Sequence, residues 1–330
     1  MKAYLLGAAM LGAAAALIAG LDITWAPVQE TKQHSPQTLR PLTVAFIGDQ
    51  GSGDDARAVL QLIKAEGADL VLHQGDFDYN DDPASWDALI TSVLGAQFPY
   101  FATVGNHDTK RWDGPNGYQA KLQTRLNKIS GARCTGDLGV KFVCSYRGLF
   151  FIQSGVGTLP SRPDHAGHVA FIREQLAQTD AIWRICSWHK NQELMQLGRK
   201  GNEVGWEPYE VCRKGGAIIA TGHEHSYSRT HLMNNFETQS VASTSGTLRI
   251  KGGMTFAFVS GLGGRRIRDQ DRDGPWWAAV YTSDQGANFG ALFCTFFVDS
   301  APNRASCYFK DIDGNVPDRF ELLSTVAGYS

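Results

Sequence analysis

Several signals are missing from this sequence, and each absence removes a class of protein. No C-x-x-C pair is present, so a zinc site built from thiolates is not expected. No N-x-S/T site is present, which excludes N-glycosylation and fits a bacterial exported protein. No sign of charge dominates: 31 Lys and Arg stand against 33 Asp and Glu, a formal net charge of −2. That balance gives no broad basic field for nucleic acid. Charged residues are only 19% of the chain, and hydrophobic ones are 43%, which is too apolar for a disordered protein. No Pro/Ser/Gly-rich linker divides the chain after residue 41, and no internal repeat is visible. One domain with a large core is therefore expected over residues 41–330.

The long uncharged run is confined to Ala3–Leu21, preceded by Lys2. Residues 1–21 read as a secretory signal peptide, or as an N-terminal membrane anchor if uncleaved. No clean A-x-A cleavage site follows. Residues 22–40, with Pro27, Gln29, Gln33, Pro36 and Gln37, read as a polar linker. Either reading exports the folded part, to a secreted or periplasmic location or to the outer side of a membrane. Membrane contact is then expected only through the N-terminal segment.

Six cysteines fit an oxidising compartment. Cys134 and Cys144 bracket a turn at Thr135–Gly139, and Cys294 and Cys307 flank one near Pro302. Both spacings suit disulfides across hairpins. Cys186 and Cys212 either pair or remain buried thiols.

Apolar runs alternate with amphipathic segments through the first two thirds of the chain. Strands are expected at Leu42–Ile47, Asp69–His73, Tyr100–Val104, Lys141–Tyr146, Leu149–Ser154, Ile182–Ser187 and Ala217–Thr221. Helices are expected at Asp54–Glu66, Ser85–Leu94, Gly117–Ile129, Gly167–Ala177 and Trp206–Arg213. The first helix shows Ala58, Leu62 and Ala65 at helical spacing, with Asp54 or Asp55 as its cap. After Thr230 only strand patterns remain: Thr247–Lys251, Thr255–Val259, Ala291–Val298 and Ser306–Asp311. Alternating β and α implies an α/β fold with parallel strands and crossover helices. In such sheets, ligand sites collect beyond the C-terminal strand ends.

Five short motifs sit at those ends: Asp49-Gln50-Gly51, Gly75-Asp76-Phe77-Asp78-Tyr79, Gly105-Asn106-His107-Asp108, His189, and Gly222-His223-Glu224-His225. Asp49, Asp76, Tyr79, Asn106, His189, His223 and His225 supply oxygen and nitrogen donors and no sulfur. That set suits iron, manganese or zinc. Seven donors exceed one tetrahedral site. With one bridging carboxylate they fit two ions about 3.5–4 Å apart, which can hold a hydroxide and two oxygens of a phosphate ester.

The order D-x-G, G-D-x-x-Y, G-N-H-D, strand-end His, G-H-x-H resembles the calcineurin-like metallophosphoesterases. Tyr79, three residues after Asp76, resembles their purple acid phosphatase branch, in its small single-domain form. The motifs cover residues 48–225. The resemblance implies a four-layer αββα sandwich of two mixed sheets flanked by helices. It implies that Asp49, Tyr79 and His225 hold iron(III), that Asp76 bridges, and that Asn106, His189 and His223 hold iron, zinc or manganese. His107 would face the phosphate as a catalytic group rather than a ligand. The implied activity is acid phosphatase-type hydrolysis of phosphomonoesters by a metal-bridging hydroxide, with a small phosphorylated substrate. A phosphodiesterase or nucleotide hydrolase on the same scaffold is the alternative, and a non-catalytic, metal-stabilised surface or binding protein is the third reading. Where relatives carry another His or Tyr soon after the His189 position, this chain has Lys190-Asn191-Gln192.

Other groups read as structural. His73 is expected in the core or beside the ligands, and His165, His168 and His231 as structural. Asp78 and Asp108 read as hydrogen-bonding neighbours. Asp269–Gly274 starts like an EF-hand loop, but Val280 stands where a bidentate Glu is required, so calcium is not expected. Arg265, Arg266 and Arg268 read as a solvated charged loop, with steering of an anionic substrate as the alternative. Trp276-Trp277 either pack on that loop or line the pocket.

Overall fold

The computed structural model describes residues 40–159 and 164–326. The expected signal or anchor, and the linker up to residue 39, lie outside the described residues.

In chain order the strands are β1 (Leu42–Ile47), β2 (Leu70–His73), β3 (Tyr100–Ala102), β4 (Arg133–Asp137), β5 (Lys141–Tyr146), β6 (Leu149–Ser154), β7 (Trp183–Ser187), β8 (Ile218–Thr221), β9 (Tyr227–Thr230), β10 (Leu232–Asn235), β11 (Ser240–Ser243), β12 (Thr247–Ile250), β13 (Ala257–Ser260), β14 (Trp277–Tyr281), β15 (Gly290–Phe296), β16 (Arg304–Asp311) and β17 (Asp318–Ser324). The α-helices are α1 (Asp54–Ala65), α2 (Pro83–Leu94), α3 (Tyr118–Leu126), α4 (His165–Gln178) and α5 (Glu207–Lys214).

One sheet has the order β12-β17-β16-β15-β1-β2-β3, and the other β14-β9-β13-β8-β7-β6-β5-β4; β10 and β11 form a separate hairpin. Both sheets are mixed. β1, β2 and β3 pair in parallel, as do β6, β7, β8 and β13. The antiparallel strands flank these blocks. Parallel strands buried on both faces read as continuous apolar runs, and β1, β2 and β8 do so.

The sheets pack face to face. Phe46 of β1 meets Phe258 of β13 edge-on at 5.1 Å, and Phe101 of β3 meets Phe151 of β6 at 4.8 Å. Ser260 Oγ donates to the Phe46 carbonyl at 2.8 Å. Helices α1, α2 and α3 cover the first sheet, and α4 and α5 the second, giving the expected αββα layering.

Local expectations needed four corrections. In α1 the buried stripe is Ala56, Val59, Leu60 and Ile63, while Ala65 is exposed. The larger apolar area of Val59, Leu60 and Ile63 sets the helix rotation. Gly53, not Asp54 or Asp55, occupies the N-cap, and both acids lie in the first turn where they favour the helix dipole. Thr135–Asp137 belong to β4 and not to a turn. Strands β4, β9, β10, β11, β14 and β17 were not expected; most are short, polar or half-exposed.

All six cysteines pair. Cys134–Cys144 joins β4 to β5, and Cys294–Cys307 joins β15 to β16, each bridging directly opposed residues. Cys186–Cys212 ties β7 to α5. Three disulfides fit an oxidising, extracytoplasmic environment. Among the described residues no helix is long and apolar enough to cross a membrane.

Candidate metal centre

The two parallel blocks present their C-terminal ends to one place. Asp49 follows β1, Asp76 and Tyr79 follow β2, and Asn106 follows β3. From the facing sheet, His189 follows β7, and His223 and His225 follow β8. The turns leaving these strands are sharp. Asp49, Asp76, Tyr79 and His223 all have positive φ, between 57° and 71°. Such backbone costs free energy outside glycine, and clusters of it mark functional sites. Gly105 permits the closest approach: a Cβ there would lie 2.0 Å from the Asp76 backbone nitrogen.

The seven expected donors converge as two groups. In the first, the Tyr79 hydroxyl lies 3.1 Å from Asp49 Oδ1 and 3.1 Å from His225 Nε2. His225 Nε2 is 3.4 Å from the same Asp49 oxygen. In the second, His189 Nε2 lies 3.1 Å from Asn106 Oδ1, 3.2 Å from Asp76 Oδ1 and 3.0 Å from His223 Nδ1. The first group thus comprises Asp49, Tyr79 and His225, and the second Asn106, His189 and His223 with Asp76 beside them.

The far nitrogen of each imidazole is already engaged. His189 Nδ1 lies 2.7 Å from the Gln74 carbonyl oxygen, and His225 Nδ1 2.8 Å from that of Arg266. His223 Nε2 lies 2.7 Å from Glu203 Oε2. Donation to the two carbonyls fixes the tautomers of His189 and His225, and the Glu203 carboxylate favours the proton on His223 Nε2, so the neutral rings turn lone pairs toward the centre. Lone pairs of Asp49, Asp76, Asn106 and three imidazoles then point at one another. A cation resolves that repulsion, so the donor set fits hard or borderline metal ions. Asp76, His189 and His223 each offer a ligand atom, and these lie within 4.8 Å of one another, close enough to share an ion.

The electrostatics agree. Burial disfavours charge on Asp49, but His225 and His189 when protonated, with Lys200, overcome it and hold the carboxyl well below its usual range; a cation in place of the imidazole protons would act in the same direction. Asp76 is likewise held low, mainly by His189 against burial. Burial and the Asp49 carboxylate push the Tyr79 phenol well above its ordinary pKa. Without a strong Lewis acid this phenol stays protonated.

The remaining expectations divide. His107 is exposed, with its ring 4.5 Å from the Tyr79 ring and its backbone N–H donating to Asp76 Oδ1 at 2.9 Å. Among the described residues its imidazole makes no hydrogen bond. Asp108 is buried and accepts backbone N–H bonds from Asp76, Phe77 and Gly105 at 2.7–2.9 Å. It ties the second and third motifs together. Asp78 accepts from Tyr118, Asn80 and Asp82. His73 is buried between the Phe77 and Tyr100 rings, and its Nδ1 accepts the Gly75 N–H at 3.0 Å. His168 is buried against Ser154 Oγ. Arg265 is exposed, as a solvated loop requires, yet its guanidinium stacks 4.8 Å over Tyr79. Asp269 accepts from Ser283, and Asp271 pairs with Arg199, so these acids serve the loop. Trp276 packs onto that region, its Nε1 donating to the Leu194 carbonyl.

Two residues at the centre escaped the sequence reading. Glu203 supports His223 and pairs with Lys190 at 2.5 Å. Lys200 donates to the His223 carbonyl. Both lie in the irregular connection between β7 and α5, where no periodicity or motif flags them. Their signal was positional: that connection leaves the C-terminal end of a parallel strand.

The family model for calcineurin-like phosphoesterases matches residues 42–227, more than half of the chain. No curated protein matches the sequence. Among solved structures, purple acid phosphatase PPD1 from yellow lupin seeds aligns with a TM-score of 0.64 at 19% identity, covering 86% of this chain and 54% of that one. This chain thus spans about half the length of that relative. GAP50, the anchor in the inner membrane complex of Plasmodium, aligns with a TM-score of 0.56 at 15% identity, covering 87% and 91%. PhoD aligns with a TM-score of 0.50 at 14% identity, covering 86% and 68%. These likenesses establish the fold, and the family match goes further: the chain belongs to the calcineurin-like phosphoesterases, a family of metal-dependent phosphoester hydrolases.

Proposed function

We propose that this chain is an exported phosphatase of the purple acid phosphatase type, acting on small phosphomonoesters with two metal ions. The convergence of six donors into two triads, with Asp76 as a seventh beside them, is the observation that carries this reading. Asp49, Tyr79 and His225 would hold iron(III), Asn106, His189 and His223 would hold iron, zinc or manganese, and Asp76 would bridge. Bound there, the pair of ions supplies Lewis acidity toward phosphoryl oxygens and activates water.

The chain's own groups do the rest. Gln74, Arg266 and Glu203 orient the three imidazoles. Asp108 holds the Asp76 and Gly105 turns in register. His107 stands at the opening, where its imidazole can stabilise phosphoryl charge or protonate the departing alkoxide oxygen. Arg265 lies over the Tyr79 ring and adds positive charge at the same mouth.

p-Nitrophenyl phosphate, its diester analogue and nucleotides, tested on metal-loaded protein, check the reading. Monoester turnover is expected to exceed diester turnover. Diester or nucleotide preference would favour the alternative hydrolase. The similarity to GAP50, named as an anchor, keeps a non-catalytic surface protein as a second reading, and the complete donor set weighs against it. Absence of turnover on all three substrates would favour that reading.

A further inference from the structure

The three imidazoles of the metal centre are not held alike. His189 and His225 lean on main-chain carbonyls, those of Gln74 and Arg266, which a side-chain substitution leaves in place. His223 leans on a side chain: its Nε2 lies 2.7 Å from Glu203 Oε2. That oxygen is buried and makes no hydrogen bond elsewhere among the described residues. The other oxygen, Oε1, accepts from Lys190 Nζ at 2.5 Å. Glu203 thus stands between a candidate ligand and a cation that holds the carboxylate in place.

Lys190 is the residue after His189, so these contacts start beside one ligand of the second triad and end at another. Asn191 makes a parallel link. It is fully buried, its Nδ2 donates to the Gly222 carbonyl at 2.7 Å, and its Oδ1 accepts from the Tyr209 hydroxyl at 3.1 Å. Gly222 precedes His223, and its N–H donates to the His189 carbonyl at 3.2 Å. The Asn191 carbonyl accepts the Glu203 N–H at 3.1 Å. Gly157 packs on Glu203 so closely that a Cβ there would lie 2.6 Å from the Glu203 carbonyl oxygen. These links set the main chain of His189, His223 and Glu203 in one frame. Main-chain links do not fix the rotation of the His223 ring, whereas the Glu203 carboxylate meets the ring edge itself.

We propose that Lys190 and Glu203 are positioning residues for the second metal site: Lys190 fixes the carboxylate, the carboxylate fixes the His223 ring, and the pair thereby sets how tightly that site holds its ion. The inference rests on the two-metal reading above. Asp49, Tyr79 and His225 make no hydrogen bond or ion pair with either residue among the described residues, so the first site lies outside this control. Partners that orient a metal-bound imidazole are worth about 10–100-fold in metal affinity. The two sites are then separately adjustable, and the second is the one that a side-chain change can loosen.

The test challenges full-chain, zinc-loaded protein with increasing chelator and counts the ions retained. Wild-type protein is expected to release two ions, and His189→Ala marks the release that belongs to the second site. Glu203→Ala should weaken that retention alone, by about 10–100-fold, with the other ion and the circular dichroism spectrum unchanged. Glu203→Gln keeps an acceptor oxygen toward the ring and should recover part of the loss. Lys190→Met should weaken the same ion, and should add nothing in a Glu203→Ala background, because it acts through that carboxylate. Retention unchanged in Glu203→Ala, equal weakening of both ions, or a Lys190→Met effect that persists without Glu203 overturns the inference. Wild-type protein that retains no second ion defeats the two-metal reading itself, a failure visible before any variant is made, and the inference falls with it.

Discussion

Tyr79 is half-buried beside the Asp49 carboxylate, and both surroundings oppose ionisation of its phenol. A trivalent ion bound there would reverse that preference, and the phenolate would then report the metal. Protein loaded with iron should absorb visible light, and Tyr79→Phe should bleach it while circular dichroism shows the fold intact. His107 is placed differently: exposed, and joined to the centre by its backbone N–H to Asp76 and by its ring against that of Tyr79. His107→Ala should lower kcat by about 10²–10⁴-fold, the usual contribution of a general acid, with metal content unchanged. Loss of metal in that variant would move His107 from catalysis to structure. The residues that hold the far nitrogens of the imidazoles were harder to foresee. Gln74 and Arg266 act through carbonyls, which any residue could provide, and Glu203 lies in a connection without pattern.

At the level of elements, β7 and α5 are held by Cys186–Cys212, a closure over a sequence separation of 26. Replacing both cysteines with alanine should destabilise the fold by about 3 kcal/mol, seen as a lower midpoint in denaturant unfolding. On the neighbouring element α4, His168 is buried, and burial with the nearby Lys141 charge pushes its pKa down to about 4. The folded protein therefore takes up this proton less readily than the unfolded chain. Stability tied to His168 is intact above about pH 6.5 and is lost as pH falls toward 4. His168→Gln should flatten the fall in melting temperature across that window, and an unchanged acid profile would refute the assignment. Apolar strands such as β1, β5 and β6 were legible to the residue, because a run of buried β-branched and aromatic side chains has no other use. β9 and β10 were not. Tyr227-Ser228-Arg229-Thr230 is polar in sequence yet fully buried, because Arg229 pairs with Asp318 from a strand of the other sheet.

That pair belongs to the whole molecule. Asp318 of β17 accepts from Arg229 at 2.7 and 2.9 Å and from the Tyr227 hydroxyl at 2.7 Å, linking the two sheets through buried polar contacts. Asp318→Ala would strand a buried guanidinium. It should cost about 3–5 kcal/mol in global stability, measurable by denaturant unfolding. Such cross-sheet partnerships are separated by nearly 90 residues, and no periodicity connects them. The site was more legible than the fold around it. Its residues are confined to strand ends, and their order survives in the sequence whatever the intervening segments do. The two sheets must face each other with aligned parallel blocks for those ends to meet.

On the proposed function, the two triads bind two metal ions. Metal analysis of purified full-chain protein, paired with the same measurement on Asp76→Asn and His189→Ala, tests it most directly. Two ions per wild-type chain, and loss of at least one in each variant, are expected. Wild-type protein that holds fewer than one ion per chain after loading, or variants that keep both ions, would contradict it.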